Sequence, residues 1–204
     1  MFKEVAEFKK FFEEINLEKD ELWRLYIKFP EKSLFVDIET EGLSKDKNEI
    51  TVIGIFKENT YTSYIKGFNL EDAFTVLNST PIWITFGGDN FDIPFLKKRF
   101  PELETPIVHL DLFFLTRRIG LKGGLKKIEK AIGIARETDG LNGYHAVKLW
   151  QRWEKEGDKE ALETLVSYNK EDVINLKLVL EYVIDKLRNQ KISGGLSYAK
   201  GSGK

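Results

Sequence analysis

The sequence predicts an α/β fold in which a mixed five-stranded sheet is flanked by helices and preceded by an extra N-terminal helical segment. Three predicted strands come first, and later strands alternate with helical segments. This order favours a mixed sheet covered by helices. The chain has 204 residues, of which 42% are hydrophobic, and this is enough for one domain with a substantial core.

Residues 1–32 form the predicted N-terminal helical extension. Apolar residues recur at helical spacing from Phe2 to Ile15 and again from Leu22 to Phe29, just before Pro30, which predicts two short helices. We expect these aromatic-rich helices to pack either on the core of the domain or on another subunit, so a homo-oligomer is one of two outcomes.

Residues 33–190 carry the predicted sheet and its helices. Apolar or alternating runs predict five strands, at residues 33–40, 50–56, 60–65, 81–86 and 106–110. Helices are predicted over 69–78, from Asn90 to before Pro101 and, with breaks at glycines, from Asp111 onward. Segment 191–204, rich in glycine and serine, is expected to be a flexible tail.

Composition excludes several classes of protein. The net charge is −1, so any nucleic-acid-binding surface must be local. The chain has no cysteine and therefore neither disulfides nor thiolate metal sites. No apolar run approaches the roughly 18 residues of a membrane span, and the first residues, mixed in charge, do not resemble a secretory signal. We expect a soluble, cytoplasmic protein without a membrane partner.

Two carboxylates mark the first predicted strand. Asp37 and Glu39 point to the same face because side chains alternate along a strand. Like charges this close repel unless a cation lies between them, so the pair indicates a divalent ion. A pair of surface acids on an edge strand is the alternative, although the segment is otherwise apolar.

Three further residues add to this set. Asp92 lies where a strand has ended and a helix begins, a position where α/β folds build sites, although an acid there also complements the helix dipole. Tyr168 and Asp172 are four residues apart and share one helix face, as would an aromatic anchor followed by an exposed acid. Together, four carboxylates and one phenol are the inventory of a two-metal site that cuts phosphodiesters.

A local basic stretch runs from Arg117 to Arg136, with seven basic residues against the single acid Glu129. Such a stretch can follow a phosphate backbone. The candidate nucleic-acid-binding residues are Lys126, Lys127, Lys130 and Arg136. A solvated helix face is the alternative explanation.

The three acidic segments resemble the motifs of the DEDD superfamily of 3′–5′ exonucleases, which have the ribonuclease H-like fold. Asp37-Ile38-Glu39 is similar to the first motif, and Phe91-Asp92 is similar to the second. Tyr168 with Asp172 matches the third motif in its tyrosine form (DEDDy), because Ser167 stands where the histidine form needs histidine. The resemblance covers roughly residues 33–185.

Two subgroups share further residues with the chain. Residues 85–99 resemble the second motif of proofreading domains in archaeal family B DNA polymerases, except that Gly87 replaces the usual asparagine. The second half is similar to the stand-alone YprB-like exonucleases. The matching residues are His109-Leu110-Asp111-Leu112, Leu125-Lys126-Lys127-Ile128-Glu129, Arg136 with Asp139-Gly140, and Leu149-Trp150.

The resemblance implies an activity and a ligand set. It implies two Mg²⁺ or Mn²⁺ ions, with Asp37 between both, Glu39 and Asp172 on the nucleophile side and Asp92 on the other, while Tyr168 orients the attacking water. The expected function is 3′–5′ hydrolysis of single-stranded DNA to 5′-mononucleotides. DNA is favoured over RNA only by the similarity to proofreading domains. An exoribonuclease of the same fold and a non-catalytic nucleic-acid-binding module are the alternatives.

Overall fold

The sheet has five strands in a mixed arrangement. The structure is a computed structural model that describes residues 2–198, with side chains described for residues 4–190. The strands are β1 (Ser33–Thr40), β2 (Ile50–Lys57), β3 (Thr60–Ile65), β4 (Ile82–Thr85) and β5 (Val108–Asp111). Their order is β3-β2-β1-β4-β5, with antiparallel pairing on the β3 side of β1 and parallel pairing on the β5 side. The predicted fold class is confirmed.

Eight α-helices accompany the sheet within the described part of the chain. They are α1 (Phe2–Glu14), α2 (Trp23–Lys28), α3 (Ala73–Asn78), α4 (Asp92–Arg99), α5 (Leu112–Arg118), α6 (Leu125–Ile132), α7 (Gly143–Glu156) and α8 (Lys159–Tyr198). Gly133 and Gly157 end α6 and α7 in the left-handed conformation, at φ 83° and 67°. Glycine adopts this conformation without steric cost, which explains the predicted breaks there.

The two faces of β1 enter different cores, as the alternation of its residues predicts. Leu34, Val36 and Ile38 pack with α3 and α4 on one side of the sheet. Phe35 faces the other side and packs with buried residues of α5, α6 and α8. Asp37 and Glu39 follow Phe35 on this second face, so the same periodicity that buries Phe35 directs both carboxylates toward α8.

The N-terminal helices belong to the main core. Phe8 of α1 and Trp23 and Leu25 of α2 are buried in the same cluster as Phe35 of the sheet. Of the two predicted outcomes for these helices, the structure shows packing on the core of the domain. A homo-oligomer stays a prediction, as does the division of the chain at residue 33.

Element boundaries differ slightly from the predicted ones. Helix α4 begins at Asp92 and not at Asn90, and α8 continues to Tyr198, which includes the first residues of the segment expected to be a tail. Residues 199–204 of that segment lie outside the described residues. None of the described helices is both long enough and apolar enough to cross a membrane. A cytoplasmic location stays a prediction.

Candidate active site

Three of the predicted metal ligands lie together where α8 crosses β1. Asp37 and Glu39 of β1 and Asp172 of α8 each offer a carboxylate oxygen, and these oxygens all lie within 4.8 Å of one another. Glu39 and Asp172 are buried, whereas Asp37 is partly exposed. The structure therefore brings together residues that are more than 130 positions apart in sequence.

Close contact between α8 and the sheet depends on Gly54 and Asn169. Gly54 of β2 is the register partner of Asp37, and a Cβ at this position would lie 1.9 Å from Asn169 Oδ1. The space left by glycine lets Asn169 Nδ2 donate to Asp37 Oδ2 at 3.0 Å. Tyr61 of β3 donates to Asn169 Oδ1 at 3.0 Å, which fixes the orientation of the amide. Sequence analysis missed these three residues, although Asn169 directly follows Tyr168.

Asp92 lies in the same cavity but outside the group of three. It is the first residue of α4, is 4% exposed and lines the cavity with Asp37, Glu39 and Asp172. The preceding loop is held by Asp111, whose Oδ1 accepts hydrogen bonds from Gly87 N at 2.7 Å and Phe113 N at 2.9 Å. Gly87 has φ 78°, a conformation that favours glycine. The loop therefore uses a backbone N–H and a left-handed residue where the DEDD motif usually has asparagine.

Burial, together with neighbouring acids, raises the pKa of the carboxyl groups in the cavity. Burial, followed by the charges of Asp92, Glu39 and Asp172, raises the pKa of Asp37 well above its usual range. Burial and the nearby Asp172 likewise raise the pKa of Glu39. Burial raises the pKa of Asp92 to about 7, with repulsion from Asp111 adding to the rise and backbone N–H groups opposing it. Nearby hydrogen-bond donors and cations thus do not offset the cost of a negative charge on each of these carboxylates.

The donor set fits a divalent cation. Carboxylate oxygens are the ligands that Mg²⁺ and Mn²⁺ prefer, and a cation between them would offset the burial and the repulsion that raise the pKa values of Asp37 and Glu39. Asp172 is already partnered on one side, because its Oδ1 lies 2.6 Å from Arg136 Nη2. The fit to a cation therefore rests on the three converging carboxylate oxygens.

Tyr168 places a protonated hydroxyl group beside the carboxylates. Burial, followed by the charges of Asp172, Glu39 and Asp37, raises its pKa. Lys126 Nζ lies 2.9 Å from Tyr168 Oη and 4.3 Å from the centre of the ring. Because an ammonium group only donates hydrogen bonds, Tyr168 Oη accepts from Lys126 and keeps its own proton for another acceptor.

The four basic candidates have different environments. Lys127 and Lys130 are exposed on α6, so their assignment to substrate phosphates stays a prediction. Lys126 reaches into the site and also contacts the Leu141 carbonyl. The side chain of Arg136 is 6% exposed and is engaged by Glu129, Glu171 and Asp172. The basic stretch is therefore not one uniform solvated helix face.

The cavity beside the carboxylates has a volume of about 620 Å³ and an apolar wall. Phe86 and Phe91 are partly buried in this wall, whereas Leu43 is 89% exposed and Tyr144 is 67% exposed. Leu43 lies between β1 and β2, and Tyr144 is in the first turn of α7, where its N–H is capped by Asn142 Oδ1 at 3.0 Å. Sequence analysis did not select these residues, because no pattern distinguishes an exposed apolar side chain in a cavity from one on the surface.

A mixed sheet with carboxylates on its first strand and on the last helix that crosses it defines a ribonuclease H-like domain. Residues 34–184 match a family model, RNase_H_2, of the RNase H superfamily, and the chain belongs to this superfamily. No curated protein matches the chain.

Solved structures share the fold at low sequence identity. One described as the apo form of a nuclease is 20% identical with a TM-score of 0.54, over 78% of this chain and 74% of the other. Brucella melitensis NrnC bound to pGG is 18% identical with a TM-score of 0.53, over 84% of this chain and 82% of the other. NrnC with bound Mg²⁺ has the same identity, coverage and TM-score. These likenesses concern the fold, and the assignment to the DEDDy or YprB-like subgroup stays a prediction.

Proposed function

We propose that the protein is a metal-dependent 3′–5′ exonuclease that hydrolyses single-stranded DNA to 5′-mononucleotides. The observation that carries this proposal is the group of three carboxylate oxygens within 4.8 Å of one another, in a cavity that Asp92 and Tyr168 also line. Both the ribonuclease H-like fold and an NrnC structure with bound Mg²⁺ support a divalent ion at such a site.

Asp37, Glu39, Asp92 and Asp172 would hold two Mg²⁺ or Mn²⁺ ions. When bound, the ions would supply an activated water and would neutralise negative charge on the phosphate and the leaving oxygen. Asp37 is central because it is close to the other carboxylates, whose charges all raise its pKa. Asn169 holds the Asp37 carboxylate at 3.0 Å, so its orientation is set before an ion arrives. Asp92, which lines the same cavity but lies outside the group of three, would serve the second ion.

Tyr168 would orient the attacking water. Its raised pKa keeps the hydroxyl protonated, so the residue acts as a hydrogen-bonding group and not as a general base. Lys126 occupies one acceptor position of the hydroxyl, which restricts the directions in which Tyr168 can bond to water.

An unpaired strand end suits the cavity. Its volume of about 620 Å³ is in the range of small-ligand sites, and its apolar wall offers surface on which a nucleobase can stack. A terminal nucleotide in a duplex must first unpair, at a cost of a few kcal/mol. The choice of DNA rests on the resemblance of residues 85–99 to proofreading domains. The NrnC structure bound to pGG keeps an exoribonuclease as the second candidate.

The proposal is tested with DNA and RNA strands of one sequence, labelled at either end and incubated with Mg²⁺, Mn²⁺ or EDTA. We expect a descending ladder from the 5′-labelled DNA strand, immediate release of label from the 3′-labelled strand, and no reaction in EDTA. Blunt duplex DNA should react more slowly. Faster loss of RNA would favour the exoribonuclease, and binding without cleavage in any metal would favour a non-catalytic module.

Tyr168→Phe should lower turnover about 10- to 100-fold, as expected for loss of one hydrogen bond to a charged group in the transition state. The dissociation constant of the metal ion should not change, because Tyr168 is not among the ligands. Turnover under substrate saturation and calorimetric ion binding measure the two effects. Tyr64→Phe, which alters a phenol buried in the opposite core, is the control. Weaker ion binding by Tyr168→Phe would contradict the role.

A further inference from the structure

Arg136 lies in an unusual environment for an arginine. It is in the segment between α6 and α7, and its side chain is 6% exposed. Arginine is almost never fully buried unless it is paired. Here three carboxylates surround the guanidinium: Glu129 from α6, and Glu171 and Asp172 from α8.

The two terminal nitrogens of Arg136 have different partners. Nη1 donates to both oxygens of Glu129, at 2.8 and 2.9 Å. Nη2 lies 2.6 Å from Asp172 Oδ1, 3.2 Å from Glu171 Oε2 and 3.2 Å from Thr138 Oγ1. The planar guanidinium can hold two partners in fixed directions, whereas a lysine ammonium is a single point charge. Arg136 therefore connects one fixed carboxylate to another that belongs to the metal site.

Glu129 is a rigid anchor for Arg136. Glu129 is fully buried, and its Oε1 also accepts a hydrogen bond from Asn175 Nδ2 at 2.8 Å. Asn175 is itself buried and lies three residues after Asp172 on α8. The series of contacts from Asp172 through Arg136 and Glu129 to Asn175 thus begins and ends on the same helix. A displacement of the Asp172 carboxylate would therefore disturb each of these contacts.

Glu171 holds the same segment in a different way. Its carboxylate accepts hydrogen bonds from the backbone N–H groups of Glu137 and Thr138, at 2.6 and 3.2 Å. Glu171 therefore attaches the backbone around Arg136 to α8 and also contacts the guanidinium at 3.2 Å, whereas Arg136 meets Asp172 Oδ1 at 2.6 Å. Because Glu171 bonds mainly to the backbone and Arg136 contacts the proposed ligand, variants of these two residues provide a comparison.

We propose that Arg136, anchored by Glu129, is a positioning residue that holds the Asp172 carboxylate in the orientation that binds the divalent ion. The inference rests on the proposed function, and it replaces the predicted role of Arg136 as a contact for substrate phosphates. A guanidinium shared by three carboxylates would have to leave them to reach a phosphate. The partner groups of a metal ligand typically contribute 10- to 100-fold to metal affinity.

The experiment compares Arg136→Met with Glu171→Gln in the full chain. Ion affinity is measured by titration with Mg²⁺ and Mn²⁺ in a calorimeter, and stability by thermal unfolding in EDTA. We expect Arg136→Met to raise the ion dissociation constant about tenfold or more, and Glu171→Gln to change it by a clearly smaller factor, because Glu171 bonds mainly to the backbone of the segment. Turnover of Arg136→Met should recover toward the wild-type value at high ion concentration, because the ligands themselves remain.

Two results would overturn the proposal. Equal ion affinities in Arg136→Met and Glu171→Gln would show that Arg136 only attaches the segment between α6 and α7 to α8. Tighter ion binding by Arg136→Met would show that the guanidinium competes with the ion for Asp172. If Arg136→Met does not fold, Arg136→Lys replaces it, and unchanged ion affinity in that variant would overturn the proposal equally. A wild-type chain that binds ions but cleaves no nucleic acid would contradict the proposed function and leave the comparison of affinities intact.

Discussion

Replacing Asp37 with asparagine should abolish almost all hydrolysis and at the same time stabilise the ion-free protein. The carboxylate lies beside Glu39 and Asp172, and its removal would deprive the proposed ions of their central ligand. Loss of several kcal/mol of transition-state stabilisation corresponds to a fall in turnover of about 1,000-fold or more. The stability should rise because one of the mutually repelling carboxylates is gone.

Turnover on a labelled oligonucleotide and thermal unfolding with and without Mg²⁺ measure these two effects. The wild-type protein should gain stability when Mg²⁺ is added, by mass action, whereas Asp37→Asn should lose most of that gain. Asp46→Asn changes an exposed acid between β1 and β2 and serves as the control. Wild-type turnover in Asp37→Asn would contradict the site assignment.

The stability of the ion-free protein should fall as the pH rises from about 4 to about 7. Burial raises the pKa of Asp92 from 3.8 to about 7, so over this range the folded protein retains a proton that the unfolded chain has released. Unfolding therefore releases a proton, and the free energy of unfolding decreases with pH until both states are ionised. The shift corresponds to at most about 4 kcal/mol.

Chemical denaturation in EDTA at a series of pH values measures this dependence. Asp92→Asn should reduce the slope between pH 4 and 7 because the amide does not titrate, and the raised pKa values of Asp37 and Glu39 should account for the remaining slope. Saturating Mg²⁺ should reverse the dependence, since ion binding favours the ionised carboxylates. A stability that rises through this range in EDTA would show that the carboxylates are well compensated without an ion.

Local periodicity was sufficient to predict the parts of the site that lie on regular elements. Alternation along β1 placed Asp37 and Glu39 on one face, and the spacing of four residues placed Tyr168 and Asp172 one turn apart on α8. The structure brings the carboxylates of both elements together. The membership in the RNase H superfamily also agrees with the motifs, although it does not test the subgroup.

The remaining features depend on contacts that local patterns do not encode. Arg136 was selected for its charge, but its partners lie 7, 35 and 36 residues away in sequence, so its burial could not be predicted from its neighbours. Gly54 lies among apolar residues of β2, and no sequence pattern distinguishes it from an ordinary strand residue. Its importance arises only because Asn169 of α8 occupies the space that a Cβ would need.

Helix α8 has a consequence for how the protein loses activity on heating. The helix contributes Asp172 to the cluster of three carboxylates, and its residues Val173, Leu176 and Val179 are fully buried in the main core. A segment that supports the core opens only in the most costly fluctuations, close to global unfolding. We therefore expect Asp172 not to leave the site through local fraying, and amide hydrogens of this part of α8 should exchange as slowly as those of β1. If Asp172 is a ligand as proposed, thermal inactivation and cooperative unfolding of the domain should share one midpoint.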